Sequence, residues 1–157
     1  MEVFSVDITA SSSSFQITSL ISGPQLTFTV PPISTVLGMV NAAAGRYLLH
    51  DDLKLGYYFE YAAKGTDLQT IMARESGPLG QLGNLATSNV ISREFLFKTF
   101  IRIYSPDERL INYFYAPVYD ITIGRGDLAQ IDIKSICRRK LTPIQKADKL
   151  SGQIIPF

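Results

Sequence analysis

The chain has 157 residues, 46% hydrophobic and 18% charged, with 15 Lys and Arg against 14 Asp and Glu. That balance excludes intrinsic disorder and suits one domain able to bury a core. A single Cys and a single His exclude an internal disulfide and the usual nitrogen and sulfur metal tetrads, so neither a metal nor a cofactor is expected.

The chain opens without a basic region before an apolar stretch, and no run approaches the ~18 apolar residues of a membrane helix. A soluble, cytoplasmic protein with no membrane contact is the expectation. From Glu2 to Ile8, Val3, Ser5 and Asp7 alternate with Phe4, Val6 and Ile8, which predicts a strand with one buried face. Ser11 to Ser14 read as a surface loop. Phe15–Ile21 and Gln25–Val30 are β-prone runs separated by the turn signal Ser22-Gly23-Pro24.

After Pro31-Pro32, Ser34 is a candidate N-cap, and Val36, Val40, Ala43 and Tyr47 follow at steps of 4, 3 and 4 residues. The spacing predicts a helix over Ser34–Leu49, the main helix of the chain. Ser34, Gly38, Asn41 and Gly45 form a second stripe, and interior glycines cost about 1 kcal/mol each. Such a stripe implies close approach, either of another packed element or of a ligand backbone.

Leu55, Tyr57, Phe59 and Tyr61 alternate with Gly56, Tyr58, Glu60 and Ala62, predicting a strand over Leu53–Ala63. From Ala62 to Glu94 no aromatic residue occurs, although 8 Tyr and 9 Phe stand elsewhere. A stretch this long between strands is well above the ~4–6 residue loop median. Residues 64–92 therefore read as an insertion, poorly ordered or extended from the body of the isolated chain, with Leu79, Leu82 and Leu85 awaiting a surface to dock on. Arg93–Tyr104 reads as a strand, Ser105-Pro106-Asp107-Glu108 as a turn and Leu110–Tyr115 as a returning strand. Ile131–Cys137 is the last strand, with Cys137 expected to be buried. The resulting fold class is α+β, a β-α-β-β core with an antiparallel sheet.

Phosphate-binding glycine motifs are missing; Gly124-Arg125-Gly126 is only G-x-G. His50 reads as a residue at the helix end beside Asp51 and Asp52, or as a general base. Residues 1–90 hold four basic and seven acidic residues, net −3, and residues 91–157 hold eleven and seven, net +4. The second part is either a solvated basic face or the place for a polyanion. A β-rich chain with many Tyr and Phe and with arginines beside glycines fits single-stranded nucleic-acid binding, where rings stack on bases and cations and amides hold phosphates.

Three segments carry a resemblance. Val30-Pro31-Pro32-Ile33-Ser34-Thr35-Val36-Leu37-Gly38 with Ala42 to Gly45, then Ser92-Arg93-Glu94-Phe95-Leu96, then Tyr115-Ala116-Pro117 through Ile123-Gly124-Arg125-Gly126-Asp127-Leu128, resemble in order the Cas-five family of CRISPR-associated proteins. The likeness covers roughly residues 1–137. Phe15-Gln16 stands where family members commonly have Phe-Arg, and the residues after Cys137 align with nothing in the family.

The resemblance implies a ferredoxin-like or RNA-recognition-like (RAMP superfamily) domain over residues 1–157, whose insertion over about 64–92 is a thumb. It implies a non-catalytic subunit of a type I CRISPR surveillance complex (Cascade) that grips the crRNA 5′ handle. Such a subunit caps the filament of Cascade backbone subunits and touches the large subunit, and it meets target DNA only indirectly through the complex. The RNA contacts implied are Ser34, Gly38, Asn41 and Arg46 on the helix, Arg93 at the thumb base, and Gly124, Arg125 and Gly126 in the loop. Alternatives are a metal-independent endoribonuclease processing precursor crRNA, with His50, Tyr47 and Lys54 as its candidates, and an unrelated β-rich adaptor.

Overall fold

The computed structural model describes residues 1–17, 24–49, 51–77, 80–124, 131–142, 152 and 155–156. Its elements are β1 (Glu2–Ser13), α1 (Ile33–Ala44), β2 (Gly56–Glu60), β3 (Ala63–Ser76), β4 (Leu82–Ser105), α2 (Arg109–Tyr115), β5 (Ile131–Lys140) and the two-residue β6 (Ile155–Pro156). The strands form one sheet in the order β5-β1-β4-β2-β6, with β3 paired to β4, and every pairing is antiparallel. With the two helices of the described residues this is an α+β architecture. None of the described helices is long and apolar enough to cross a membrane.

Register explains the core. In one row across the sheet, Ile136, Val6, Ile103 and Tyr57 are cross-strand partners; in the next, Ile133, Ile8, Ile101 and Phe59 are. These rows face α1 and α2, whose Val36, Met39, Val40, Ala43, Leu110 and Phe114 complete one buried cluster. The alternation read in Glu2–Ile8 thus places Val6 and Ile8 inward. Tyr57 is wholly buried and its hydroxyl donates to the Pro31 carbonyl at 2.7 Å, tying the sheet to the chain that leads into α1.

Several expectations change. The serines continue β1 through Ser13, paired with Leu96 and Phe97 of β4, because a long partner strand gives their backbone a ladder to join. Of the runs 15–21 and 25–30, the described part shows isolated bridges, Gln16 to Thr27 and Gln25 to Arg93, rather than strands; 18–23 lie outside the described residues. The strand expected over Leu53–Ala63 is confined to Gly56–Glu60. Helix α1 begins one residue before Ser34 and ends at Ala44, not Leu49. Pro32 occupies the N-cap, its carbonyl accepting from the Thr35 and Val36 amides, and Gly45 at φ 68 closes the helix in the left-handed conformation. Val118 packs so closely on Gly45 that a Cβ there would lie 2.7 Å from it.

Leu110–Tyr115 lies in helix α2 rather than in a returning strand. Leu110 and Phe114, four apart, point into the core, and the Asp107 carboxylate accepts from the Arg109 amide at 2.9 Å where the helix starts. Tertiary burial at helical spacing overrides the β preference of Ile, Tyr and Phe. Cys137 is half-buried, its sulfur 3.4 Å from the Ser5 hydroxyl.

The aromatic-free stretch is a regular ribbon. β3 pairs with the outer half of β4 from Ala63 opposite Phe97 to Ser76 opposite Leu82, with register shifts near Arg74. Glu60 opposite Phe100 and Ala63 opposite Phe97 share one register, so β2 and β3 run as one interrupted strand against β4. The interruption lies near Lys98, a non-glycine residue at φ 49. From Leu68 to Ser76 the ribbon extends roughly 30 Å, with Leu68, Met72 and Val90 exposed.

On the helix-free face, Asp7 pairs with Arg102, Nε to Oδ1 at 2.5 Å and Nη2 to Oδ2 at 2.7 Å, and also receives Arg139 at 3.1 Å. Burial pushes the Asp7 carboxyl up, but the hydrogen bonds from Arg102 and the charges of Arg102 and Arg139 outweigh it and leave it below its ordinary value of 3.8. The stabilisation is therefore present above about pH 4 and is lost as pH falls through the lowered folded value. Asp7→Asn removes the charge between two arginines and should cost about 2 kcal/mol near pH 7, less than for a fully buried pair because both arginines are partly exposed. Urea unfolding from pH 7 to pH 2 checks this. The gap between the two proteins should shrink below pH 4, and a constant gap would contradict the charge argument.

Candidate nucleic-acid interface

Four separate segments converge at the start of α1. A cleft of about 660 Å³ is lined by Ser14, Phe15, Gln16, Phe28, Pro32, Ser34, Thr35, Arg93 and Gly124. Three residues singled out in the sequence, Ser34, Arg93 and Gly124, thus share one site although 90 positions separate the first from the last. Among the described residues the lining holds one cation and no carboxylate.

Each wall has a physical cause. At the end of β1, the Phe15 amide donates to the Thr27 hydroxyl at 2.7 Å and the Phe28 amide to the Phe15 carbonyl at 2.9 Å, laying segment 24–28 beside 14–17. Phe15 turns inward onto Phe59, edge to face at 5.7 Å, whereas Phe28 is 44% exposed. The Glu94 carboxylate fixes this segment from the other side, accepting from the Thr27 amide at 2.9 Å and from Lys64 at 2.8 Å. The hydrogen bond from Lys64, then that from the Thr27 amide, hold the Glu94 carboxyl below its usual range.

Arg93 is positioned by its neighbour. Its Nε donates to the Gln25 Oε1 at 2.7 Å and its Nη2 reaches the same oxygen, while the Gln25 and Glu94 amides exchange backbone bonds with the strand and the segment. Gln25 therefore orients the guanidinium, a role no sequence pattern signalled. Gly124 sits at φ 84, and a Cβ there would lie 2.5 Å from the Ser14 carbonyl oxygen. The glycine lets two backbones meet and closes one wall of the cleft; Arg125 and Gly126 lie outside the described residues.

The start of α1 carries no acidic residue and, among the described residues, no side-chain cap. Its first amides and the positive end of the helix dipole favour an anion. Gly38, one turn on, is exposed, and nothing lies within 4 Å of where its Cβ would be. Close packing by another element is thus not the reason for this glycine. Asn41 and Arg46 stand away from the cleft. The Asn41 Oδ1 accepts from the Leu48 amide at 3.0 Å, shaping the chain after the helix, and the Arg46 guanidinium donates to the Tyr113 hydroxyl at 3.1 Å beyond the helix's far end. Gln16, Phe28 and Thr35 belong to the cleft without having been singled out as contacts; the Phe15-Gln16 departure was the signal available for Gln16.

His50 lies outside the described residues. Tyr47 is 87% exposed, and Lys54 is exposed. Among the described residues there is no group of three His, Cys, Asp or Glu that could hold a metal ion.

No family model matches the sequence, and no curated protein matches it. In fold the chain is similar to a solved chain of a CRISPR RNA-guided surveillance complex, with a TM-score of 0.61 and 19% identity over 82% of this chain and 59% of that one. It is also similar to a solved Cas protein, with a TM-score of 0.50 and 16% identity over the same shares. The chain spans about three-fifths of the length of these solved chains, and at such identities the likeness shows the shared fold.

Proposed function

We propose that this chain is a non-catalytic subunit of a type I CRISPR surveillance complex, of the Cas-five kind, that holds the 5′ handle of the crRNA. The observation that carries the reading is the cleft, without a carboxylate among its described residues, where the amino end of α1, the Gln25-oriented Arg93 and the Gly124 turn meet, in a fold similar to a surveillance-complex chain. A phosphate fits the helix amides and the guanidinium, and the exposed Phe28 ring gives an adjacent base a stacking surface.

On this reading the strand order is that of a ferredoxin-like RAMP domain, and the β3/β4 ribbon is the thumb. An isolated two-stranded ribbon is marginally stable in water, so exposed Leu68, Met72 and Val90 gain from docking on a neighbouring backbone subunit and its guide RNA. Hydrogen exchange reads this out. Amides of residues 67–76 and 82–92 should exchange quickly in the free chain and slowly in the complex; equal protection in both would remove the thumb assignment.

Binding and cleavage are separated by incubating the chain with repeat RNA in chelator. Retention of intact RNA is the expected result, and metal-free cleavage would favour the endoribonuclease instead. Arg93→Ala should weaken binding and lower the salt slope by about 0.7, the value for one phosphate contact on single-stranded nucleic acid. Gln16→Arg places a cation in the same cleft and should tighten binding and raise the slope by a similar amount. If neither variant moves the slope, the cleft is not the RNA site.

The two glycines of the region should part company. Gly38→Ala meets open space in a helix and should raise stability by up to about 1 kcal/mol, while Gly38→Leu should weaken RNA binding without lowering the melting temperature. Gly124→Ala, strained at φ 84 and pressed on Ser14, should lower the melting temperature.

A further inference from the structure

The free edges of the sheet differ in how they are protected. Unpaired amides and carbonyls along an edge invite another strand, and proteins blunt them with bulges, prolines and charge. Outer strand β5 leaves Lys134 over where its register with β1 shifts, and it ends in Arg138, Arg139 and Lys140. Strand β6 has two residues, one of them Pro156. In the ribbon, the register shifts near Arg74 leave their extra residues on β4, and Gln25 bridges that strand at Arg93. β3 has neither bulge nor proline. It runs from Ala63 to Ser76 with its own alternation unbroken, and among the described residues only β4 pairs with it. Its Leu68 is 70% and its Met72 62% exposed, on one face with the exposed Thr70 between them. Its charges are mixed in sign, Lys64 and Arg74 against Asp67 and Glu75, and Lys64 is held by Glu94 at 2.8 Å.

The sequence of β3 matches itself in one register. Two copies of a strand pair antiparallel about a two-fold axis normal to the sheet, so opposed residues lie equally far on either side of one central residue. Centring on Gln69 sets Lys64 against Arg74, and centring on Ile71 sets Asp67 against Glu75. Like charges directly opposed destabilise a pair of strands. Centring on Leu68 or Met72 shortens the pairing and parts Leu68 from Met72. Centring on Thr70 pairs Lys64 through Ser76, sets Leu68 against Met72 twice, and places every charged residue opposite an uncharged one. Like charges then meet only on the diagonal, Lys64 near Arg74 and Asp67 near Glu75, about 7–8 Å apart.

We propose that two copies of the free chain pair antiparallel through β3, with Thr70 on the two-fold axis and Leu68 of each copy against Met72 of the other. The contact joins two ribbons into one four-stranded sheet and leaves the cleft open. Edge-to-edge contact of this kind belongs to the weak class of interfaces below ~1,200 Å². The dilute chain is therefore monomeric, its ribbon amides exchanging quickly, and pairing sets in as concentration rises. The proposal does not depend on the surveillance-complex reading; on that reading the second copy and a neighbouring subunit compete for the same ribbon.

Sedimentation equilibrium over a wide range of concentration reads the dimer, and crosslinking reads the register. In chains carrying Cys137→Ser, mild oxidation of Thr70→Cys should give a disulfide-linked dimer at least tenfold faster than oxidation of Thr66→Cys. Two Thr70 Cα atoms on the axis stand about 4.5–5.5 Å apart, within disulfide reach, whereas two Thr66 Cα atoms stand roughly 26 Å apart. Thr70→Lys sets like charges face to face at an exposed position and should return the chain to monomer with its melting temperature little changed. A wild-type chain that stays monomeric at the highest concentration overturns the proposal. Equal crosslinking rates at the two positions overturn it as well. So does self-association that Thr70→Lys leaves intact, which would move the contact to another surface, such as that of the exposed Tyr47 and Tyr119.

Discussion

The pairing of β1 with β4 is the constraint on which everything else depends. It is written twice, once on each face of the sheet. On the helix side, Val6 and Ile8 face Ile103 and Ile101; on the other, Asp7 faces Arg102. A slip of one residue turns the aliphatic row toward water and sets charges against the helices, so the two faces reject the same errors. The bidentate Asp7–Arg102 contact adds a directional lock that apolar contacts do not supply. Because β4 runs unbroken from Leu82 to Ser105, the register fixed in the body also sets where Arg93 and Glu94 stand and in which direction the ribbon leaves.

The cleft follows from that placement. Glu94, next to Arg93 on β4, points to the opposite side of the strand and takes hold of Thr27; Gln25 in the segment so anchored then orients Arg93. With its carboxylate engaged in the scaffold, Glu94 leaves the neighbouring guanidinium facing a lining without acids among the described residues. The Glu94 charge is neutralised locally by Lys64 at 2.8 Å, which keeps its field out of the cleft. The shift of Glu94 toward the ionised form is consistent with this division of labour between two adjacent residues.

What was legible in the sequence divides along the same physical lines. The helix after Pro31-Pro32 and the inward rows of β1 and β2 were legible because a regular period repeats over several residues and one face is buried. Leu110–Tyr115 was misread because a six-residue run dominated by Ile, Tyr and Phe holds only two fully buried positions, Leu110 and Phe114, and a four-residue spacing observed once does not separate helix from strand. The ribbon was legible as a break in composition, not as strands: exposed on both faces, it has no alternation to display. Ser34, Arg93 and Gly124 were found through a resemblance to a known pattern, whereas Gln25 acts through one hydrogen-bonded geometry that only the folded chain assembles. The exposed tyrosines were invisible because a sequence does not say which aromatic residues the core leaves out.

Helix α1 divides the molecule's surface into two chemistries. Its amino end is open and, among the described residues, is uncapped by side chains and faces a cleft with an arginine and no carboxylate. Beyond its other end, near Gly45, lie the exposed Tyr47, Val118 and Tyr119. The helix dipole has its positive end at the cleft, while at the other end the Gly45, Val118 and Tyr119 amides occupy the last carbonyls. A net charge of +1 for the whole chain conceals this polarity, and so does the split of −3 and +4 between its two parts, because the fold brings Arg93 and Gly124 from the basic part to the amino end of α1 in the acidic part. About 12 residues of helix, roughly 18 Å, separate the two ends, a distance beyond the ~10 Å over which charges act at moderate ionic strength. The cation-bearing cleft and the exposed aromatic residues beyond Gly45 therefore lie far enough apart for each to keep its own local field.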